Sequence, residues 1–499
     1  MSVHLGFARR LVVAALSGGL VLASQAATAE TYRRHYDHVL GASLDIAVTA
    51  DDPAVANAAD AAIRAEIDRL NAVFNTYDPE SEISRLNTVE SAAASPELIE
   101  VLTLCDTWRL QSSGAMSCRI GALIDAWAAA EEADTAPERP AMRLLAGEIR
   151  RASASIDPAS GRVAREEPIR LDTNAIAKGY IIDKAFAAAR GAAPEARGLL
   201  VDIGGDLRTW GEGPDGGGWR VGVAAPERLA DNAAPEVVLH LSERAVASSG
   251  QGARSRVIAG NAYGHIISPS SGWAVEHVAG ATVAAADATS ADALATALMV
   301  MTLSDGLALA ESLMDVEALI VAADGRRFWT EGWAGLGALD ESGAGGGSSA
   351  WPNGFELSVD FVIPEIEEAD YERPYVAIWV GDGDRGLVRV LMLAGEEARW
   401  QEENYVWHRR FGRKAGSLVG AVARPTRRPG AYTVVWDGLR DDGSAAGPGD
   451  YVLHFEAARE HGGHQYESLE LSFGGEPFES DLAMGDELGA VTVRYGAPR

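Results

Sequence analysis

In RGLLVDIGGDLRTWG (Arg197–Gly211) the run Leu199–Ile203 is apolar apart from Asp202, the pattern of a buried strand, and Gly204-Gly205 stop it. On its N-terminal side, DDPAVANAADAAIRAEIDRLNAVFN has the spacing of a helix from Asp52, with Pro53 in its first turn. Ile63, Ile67, Leu70 and Phe74 form its apolar stripe. YDPESEISRLN (Tyr77–Asn87) reads as a turn rich in capping residues, and Leu98–Leu110 as a second amphipathic helix. On the C-terminal side, Thr289–Met301 and Gly306–Met314 have helical spacing, and ALIVAADGRRFWT (Ala318–Thr330) predicts two strands around Asp324-Gly325. Helices and strands alternate irregularly, so the fold class is α+β and not a doubly wound sheet.

The pattern then changes. ESGAGGGSSAW (Glu341–Trp351) has the composition of a flexible linker. Beyond it come short alternating runs: FELSVDFVI, YVAIWVGD, LVRVLMLAG, YTVVWDGLRDDG, YVLHFEAARE and YESLELSFGG. Gly, Asp and Pro turns separate them, which predicts an all-β sandwich. WDGLRDDGSAAGPGDY (Trp436–Tyr451) resembles a hairpin of the immunoglobulin-like modules found in bacterial envelope and flagellar-hook proteins. The expected division is a signal peptide over 1–29, an α+β domain over 30–340, a linker over 341–350 and an immunoglobulin-like sandwich over 351–499.

The first 29 residues have the grammar of an export signal: Arg9-Arg10, the apolar run Leu11–Ala23, then the small residues Ala27-Thr28-Ala29. The run is too short and too broken by glycine to span a membrane, and no Cys follows it for lipid attachment. Sec and twin-arginine export both stay open. The mature chain is expected in the periplasm or another extracytoplasmic space, with no transmembrane span. The full chain's formal charge of −29, which becomes −31 without Arg9 and Arg10, argues against nucleic-acid and anionic-membrane partners, which require basic patches. Cys105 and Cys118 are the only cysteines; that compartment permits a disulfide, and two buried thiols are the alternative.

Lysine is nearly absent: Lys178, Lys184 and Lys414 are the only three, and Arg supplies the other fixed positive charges. In LDTNAIAKGY (Leu171–Tyr180), Asp172 and Lys178 stand six residues apart with mostly small side chains between them. A lysine kept where Arg is the rule marks a place for a compact point charge. In TSADALATALMVM, Asp292 and Thr296 lie one helical turn apart, so a carboxylate and a hydroxyl face one spot, as hard ligands suited to Mg²⁺. HIISPSSGWAVEH places His265 before an apolar pair and a Pro/Gly turn. AVASSGQGAR (Ala245–Arg254) offers small residues that let a backbone approach a ligand. No HExxH, CxxC or Walker loop occurs.

The order NTYDPESEISRLN, GAMSCRIGALIDAW, LDTNAIAKGYIID, LLVDIGGDLRTWG, AVASSGQGAR, HIISPSSGWAVEH, TSADALATALMVM resembles the ApbE-type FAD:protein FMN transferases over about His38 to Leu339. The resemblance implies a Mg²⁺-dependent enzyme that splits FAD at its pyrophosphate. The FMN half goes to a Thr or Ser hydroxyl of an exported redox protein, and AMP leaves. It further implies that Leu40, Tyr77, Ala115, Met116, Ser117, Asp172, Lys178 and Ile266 contact FAD. The metal would be held by Asp292, Thr296 and the carbonyls of Ala175 and Ala295, and His265 would be the base for the acceptor hydroxyl. Lys178 and Asp292 join His265 in the catalytic set. The chain departs from the family pattern at Thr173-Asn174, where Leu-Gly is frequent, and at Ser117-Cys118, where Asp-Pro is usual. The acceptor motif of such enzymes, roughly Asp-x-x-Ser/Thr-Gly-Ala-Ser/Thr, is only approached by LDESGAGG (Leu339–Gly346), which lacks the Asp offset and the last hydroxyl. The rival readings are an FAD pyrophosphatase giving FMN and AMP, a non-catalytic FAD-binding envelope protein, and an adhesion or assembly factor built on the sandwich.

Overall fold

A computed structural model describes residues 30–497, except 227–229, 231, 234, 252–254, 338–350, 352–353, 367–370, 383–385, 396–401, 413–425, 428, 442–443, 461, 475 and 483. The signal peptide expected over 1–29, the linker expected over 341–350 and the whole LDESGAGG segment lie outside the described residues.

The first body is organised by one eight-stranded sheet. Its strands are β1 (Glu30–Val39), β2 (Ala42–Ala50), β3 (Gly198–Ile203), β4 (Asp206–Gly211), β5 (Ala245–Gly250), β6 (Val278–Ala285), β7 (Glu317–Ala322) and β8 (Arg327–Trp329). They lie in the sheet in chain order, every pair antiparallel. Both faces are covered in the middle of the sheet, which removes the polar alternation expected of a half-exposed strand. Leu199, Val201, Ile203, Ala245 and Ile320 enter the main core, and Leu207, Val246, Leu319 and Val321 enter a smaller one on the other face.

The main core is closed by helices. Those used below are α1 (Pro53–Phe74), α2 (Pro96–Gln111), α3 (Gly121–Glu132), α4 (Ala177–Ala192) and α5 (Ala288–Val300). Asp52 caps α1 by accepting from Ala54 N–H, Pro53 opens the helix, and Ile63, Ile67, Leu70 and Phe74 are all buried. The turn expected over Tyr77–Asn87 contains a five-residue helix, Glu82–Leu86, because Ser81 supplies a side-chain cap to Ser84 N–H.

Among the described residues, the second body is a sandwich of eight strands: β9 (Glu356–Ile363), β10 (Tyr375–Asp382), β11 (Leu387–Ala394), β12 (Gly430–Trp436), β13 (Gly449–Ala458), β14 (His464–Phe473), β15 (Phe478–Leu482) and β16 (Val491–Gly496). Two four-stranded sheets, β12-β9-β16-β15 and β11-β10-β13-β14, face each other. The last two strands go beyond the six the sequence pattern predicts. Three of the five residues of β15 are polar, so an edge strand there leaves little apolar alternation to read. Trp351 is buried at the start of this body, with ring centroids 4.6 Å from Trp436, 4.7 Å from Phe473 and 5.0 Å from Tyr495.

Candidate functional site

The site begins where α4 meets α5. A Cβ on Gly179 would lie 2.2 Å from the Ala288 carbonyl oxygen, so only glycine permits this approach. The approach lets Asp292 Oδ2 accept the Gly179 N–H at 3.0 Å. With Ile176 as N-cap, the Gly179 N–H is one of the donors that a helix start leaves without an intrahelical acceptor, and Asp292 satisfies it from the neighbouring helix. Two carboxylates fix α5 itself: Asp287 accepts from Ser290 N–H at 2.7 Å, and Asp183 accepts from the N–H groups of Ala288 and Thr289 at 3.0 and 2.9 Å.

Next to this seam lies the Gly204-Gly205 turn. Both glycines have positive φ, +61° and +91°, and Ile203 pairs with Asp206, so two residues join β3 to β4. Asp206 is 1% exposed. Its Oδ2 lies 2.8 Å from Lys178 Nζ, and its Oδ1 accepts the Ser248 N–H from β5 at 3.0 Å. Asp202, on the other side of the turn, accepts from Gly205 N–H at 2.7 Å. Burial pushes its carboxyl up to about 7, with Asp45 and Asp206 adding in the same direction and Lys178 opposing them. The start of β2, which follows the Leu40 turn, packs on this hairpin: a Cβ on Gly204 would lie 2.6 Å from the Ala42 Cβ, and Gly204 N–H donates to Ser43 O at 3.0 Å.

The remaining candidates come from two further segments. Ala115, Met116 and Ser117 follow α2, and the Cys105–Cys118 disulfide ties their segment back to that helix with a Cα separation of 5.8 Å. Cys118 O then accepts the Asp172 N–H at 2.8 Å. Asp172 is buried, which raises its carboxyl above the ordinary value, and it accepts from Asn174 N–H at 2.9 Å. The Asn174 amide reaches the Thr76 hydroxyl at 3.3 Å, which brings the 87% exposed Tyr77 to the rim of the same loop. Thr173 is fully buried and its hydroxyl has no hydrogen-bond partner. His265 and Ile266 begin a hairpin closed by Val275 N–H to Ile266 O and Ser268 N–H to Trp273 O, both 2.9 Å, and buttressed by the Trp127 indole N–H on Gly272 O at 3.0 Å. Its base is tied to the end of β5 through Gln251, whose side chain donates to Val275 O at 3.0 Å.

Two surface grooves flank the tip of the His265 hairpin. One of about 310 Å³ is lined by Arg139, Arg143 and Trp273, and one of about 510 Å³ by Ser112–Ala115, Pro269 and Ser270. Neither is lined by Lys178, Asp292 or Thr296.

The donor set suits a hard divalent cation. Asp292 and Thr296 share one face of α5, and Ala175 precedes the N-cap Ile176 of α4, so its carbonyl lies outside the helical ladder. Ala295 fits less well: it is fully buried in mid-helix, where its carbonyl belongs to the ladder of α5. Sequence reasoning missed Asp206, Asp202 and Asp183. The only available signal was their placement beside glycines or at helix spacing, and their partners are set by sheet register and helix crossing.

The model of the ApbE family matches residues 40–320, and a model described as a predicted periplasmic protein (DUF2271) matches residues 356–490. The chain is 29% identical over 276 residues to an FAD:protein FMN transferase of Vibrio cholerae, covering 52% of this chain and 80% of that protein. It is 28% identical over 243 residues to the enzyme of the same name from Chlamydia muridarum, covering 47% and 73%. Among solved structures, the ApbE protein of Thermotoga maritima aligns with a TM-score of 0.54 at 26% identity, over 62% of this chain and 99% of that one. The apo flavinyl transferase ApbE of Pseudomonas stutzeri aligns at 0.50 and 23% identity over 62% and 98%, a likeness of fold.

Proposed function

Because the chain belongs to the ApbE family, we propose that it transfers the FMN half of FAD to a Ser or Thr hydroxyl of an exported protein and releases AMP. In that reaction the acceptor oxygen bonds to the FMN phosphorus, and the bond from that phosphorus to the bridging oxygen breaks. The hydroxyl proton goes to His265, histidine being the side chain most often used as a general base. Asp206 holds the Lys178 ammonium, and that point charge offsets negative charge on the diphosphate. The Ala115–Ser117 segment, Asp172, Tyr77, Leu40 and Ile266 form the walls for the dinucleotide. Asp292, Thr296 and the Ala175 carbonyl would hold Mg²⁺. A bound Mg²⁺ there supplies charge neutralisation at the phosphoryl oxygens.

The observation that carries this reading is the α4–α5 seam. Asp292 accepts the Gly179 N–H, which sets its carboxylate, with the Thr296 hydroxyl one turn further along α5, against the helix start that carries Lys178. A predicted periplasmic family over the sandwich supports an exported protein and an exported acceptor. The test is incubation with FAD, Mg²⁺ and a candidate acceptor, followed by flavin fluorescence on a denaturing gel. A fluorescent acceptor band is the expected result. Free FMN with an unlabelled acceptor would point to a pyrophosphatase, and intact FAD to a binding protein.

A further inference from the structure

The sandwich touches the first body beside the β1–β2 turn that carries Leu40, and the contacts there are specific. Arg373, which leads into β10, places Nη1 3.1 Å from Asp37 Oδ2, and its Nη2 donates to His38 Nδ1 at 3.4 Å. The Thr426 hydroxyl donates to the same Asp37 oxygen at 3.4 Å. Asp37 and His38 sit in a bulge of β1, where the register with β2 breaks between Tyr36 and Val39. A second pair of contacts lies elsewhere: the Asn232 side chain accepts from Val435 N–H at 2.7 Å and donates to Val435 O at 2.8 Å, closing the free edge of β12.

The gripped turn is an unfavourable one. His38 has φ +62° and Leu40 φ +52°, the left-handed region in which a side chain crowds its own backbone. Such conformations persist where surrounding structure holds them. On one side the turn leads directly into Ala42 and Ser43, which pack on Gly204, two residues from the aspartate that holds Lys178. On the other side the support comes from Arg373 and Thr426 of the sandwich.

We propose that the C-terminal sandwich braces the dinucleotide site: Arg373 is a positioning residue that grips Asp37 and His38 and so keeps Leu40 in place on the site's wall. This rests on the reading that Leu40 lines the FAD site. It gives the second body a role in substrate binding that is separate from any contact with the acceptor. The ion pair is partly exposed, so its effect is modest and falls with salt.

The test is equilibrium titration of the full chain with FAD, followed by flavin fluorescence and without acceptor. Arg373→Ala weakens FAD binding about fivefold, Arg373→Lys less because it keeps the charge and loses the fork, and kcat at saturating FAD is unchanged. In a Leu40→Ala background Arg373→Ala has no further effect, because the two act through one element. Unchanged FAD affinity in Arg373→Ala, or an equal loss in both backgrounds, would overturn the brace. Wild-type chain that binds FAD yet labels no acceptor would defeat the transfer reading and leave the brace to be decided by these affinities. Wild-type chain that binds no FAD would defeat both.

Discussion

Asp206 joins groups that the sequence keeps far apart, Lys178 at the start of α4 and the Ser248 N–H of β5. The scarcity of lysine makes Lys178 visible in the sequence; its partner is not, because the pairing depends on a two-glycine turn and on strand register. Asp206→Asn keeps the shape and removes the charge, and is expected to raise KM for FAD about tenfold, measured by steady-state transfer, as loss of a charge-assisted bond worth roughly 1.5–3 kcal/mol implies. Asp202 carries a pH dependence of opposite sign to an ordinary ion-paired carboxylate. Its folded value of about 7 lies above its unfolded one, so its contribution to stability is full in acid and is lost as pH climbs through about 7. Between pH 5 and pH 8 the Tm of the wild type should fall more than that of Asp202→Asn; equal slopes would contradict the assignment. Thr173 is a different case. Its buried hydroxyl bonds to nothing, so Thr173→Val should stabilise the fold by about 1 kcal/mol in urea unfolding.

At the scale of elements, α4 and α5 form one unit whose spacing is set by Gly179. Gly179→Ala pushes a methyl against the Ala288 carbonyl and should cost about 3 kcal/mol or more in denaturant unfolding, since backbone on both sides must give way. α5 was legible from its periodicity, with ends displaced by one residue because Asp287 caps the helix, whereas α4 was not read as a helix from the sequence. Their crossing was not legible, because it is fixed by a glycine that looks like any other small residue in the sequence. The Cys105–Cys118 pairing was left open by the sequence and closed by the fold, which brings the end of α2 against the segment before α3. Reducing this short loop is expected to lower stability by about 3 kcal/mol by the loop-entropy estimate, read from unfolding with and without reductant.

At the scale of the molecule, the ordered series of short segments in the first 340 residues was enough to indicate a flavin transferase, and family membership bears it out. The six alternating runs of the sandwich were readable for the reason strands usually are, their period of two. Its last strands were not, and neither was the contact of Arg373 with β1, which joins residues more than 300 positions apart. The central claim concerns the oxygens of the α4–α5 seam, and the most direct measurement is acceptor flavinylation by wild type and Asp292→Ala, with Mg²⁺ and with a chelator, at matched FAD occupancy. The account predicts a fluorescent acceptor band only for the wild type with Mg²⁺. A band of equal strength from Asp292→Ala, or one that survives the chelator in the wild type, would contradict it.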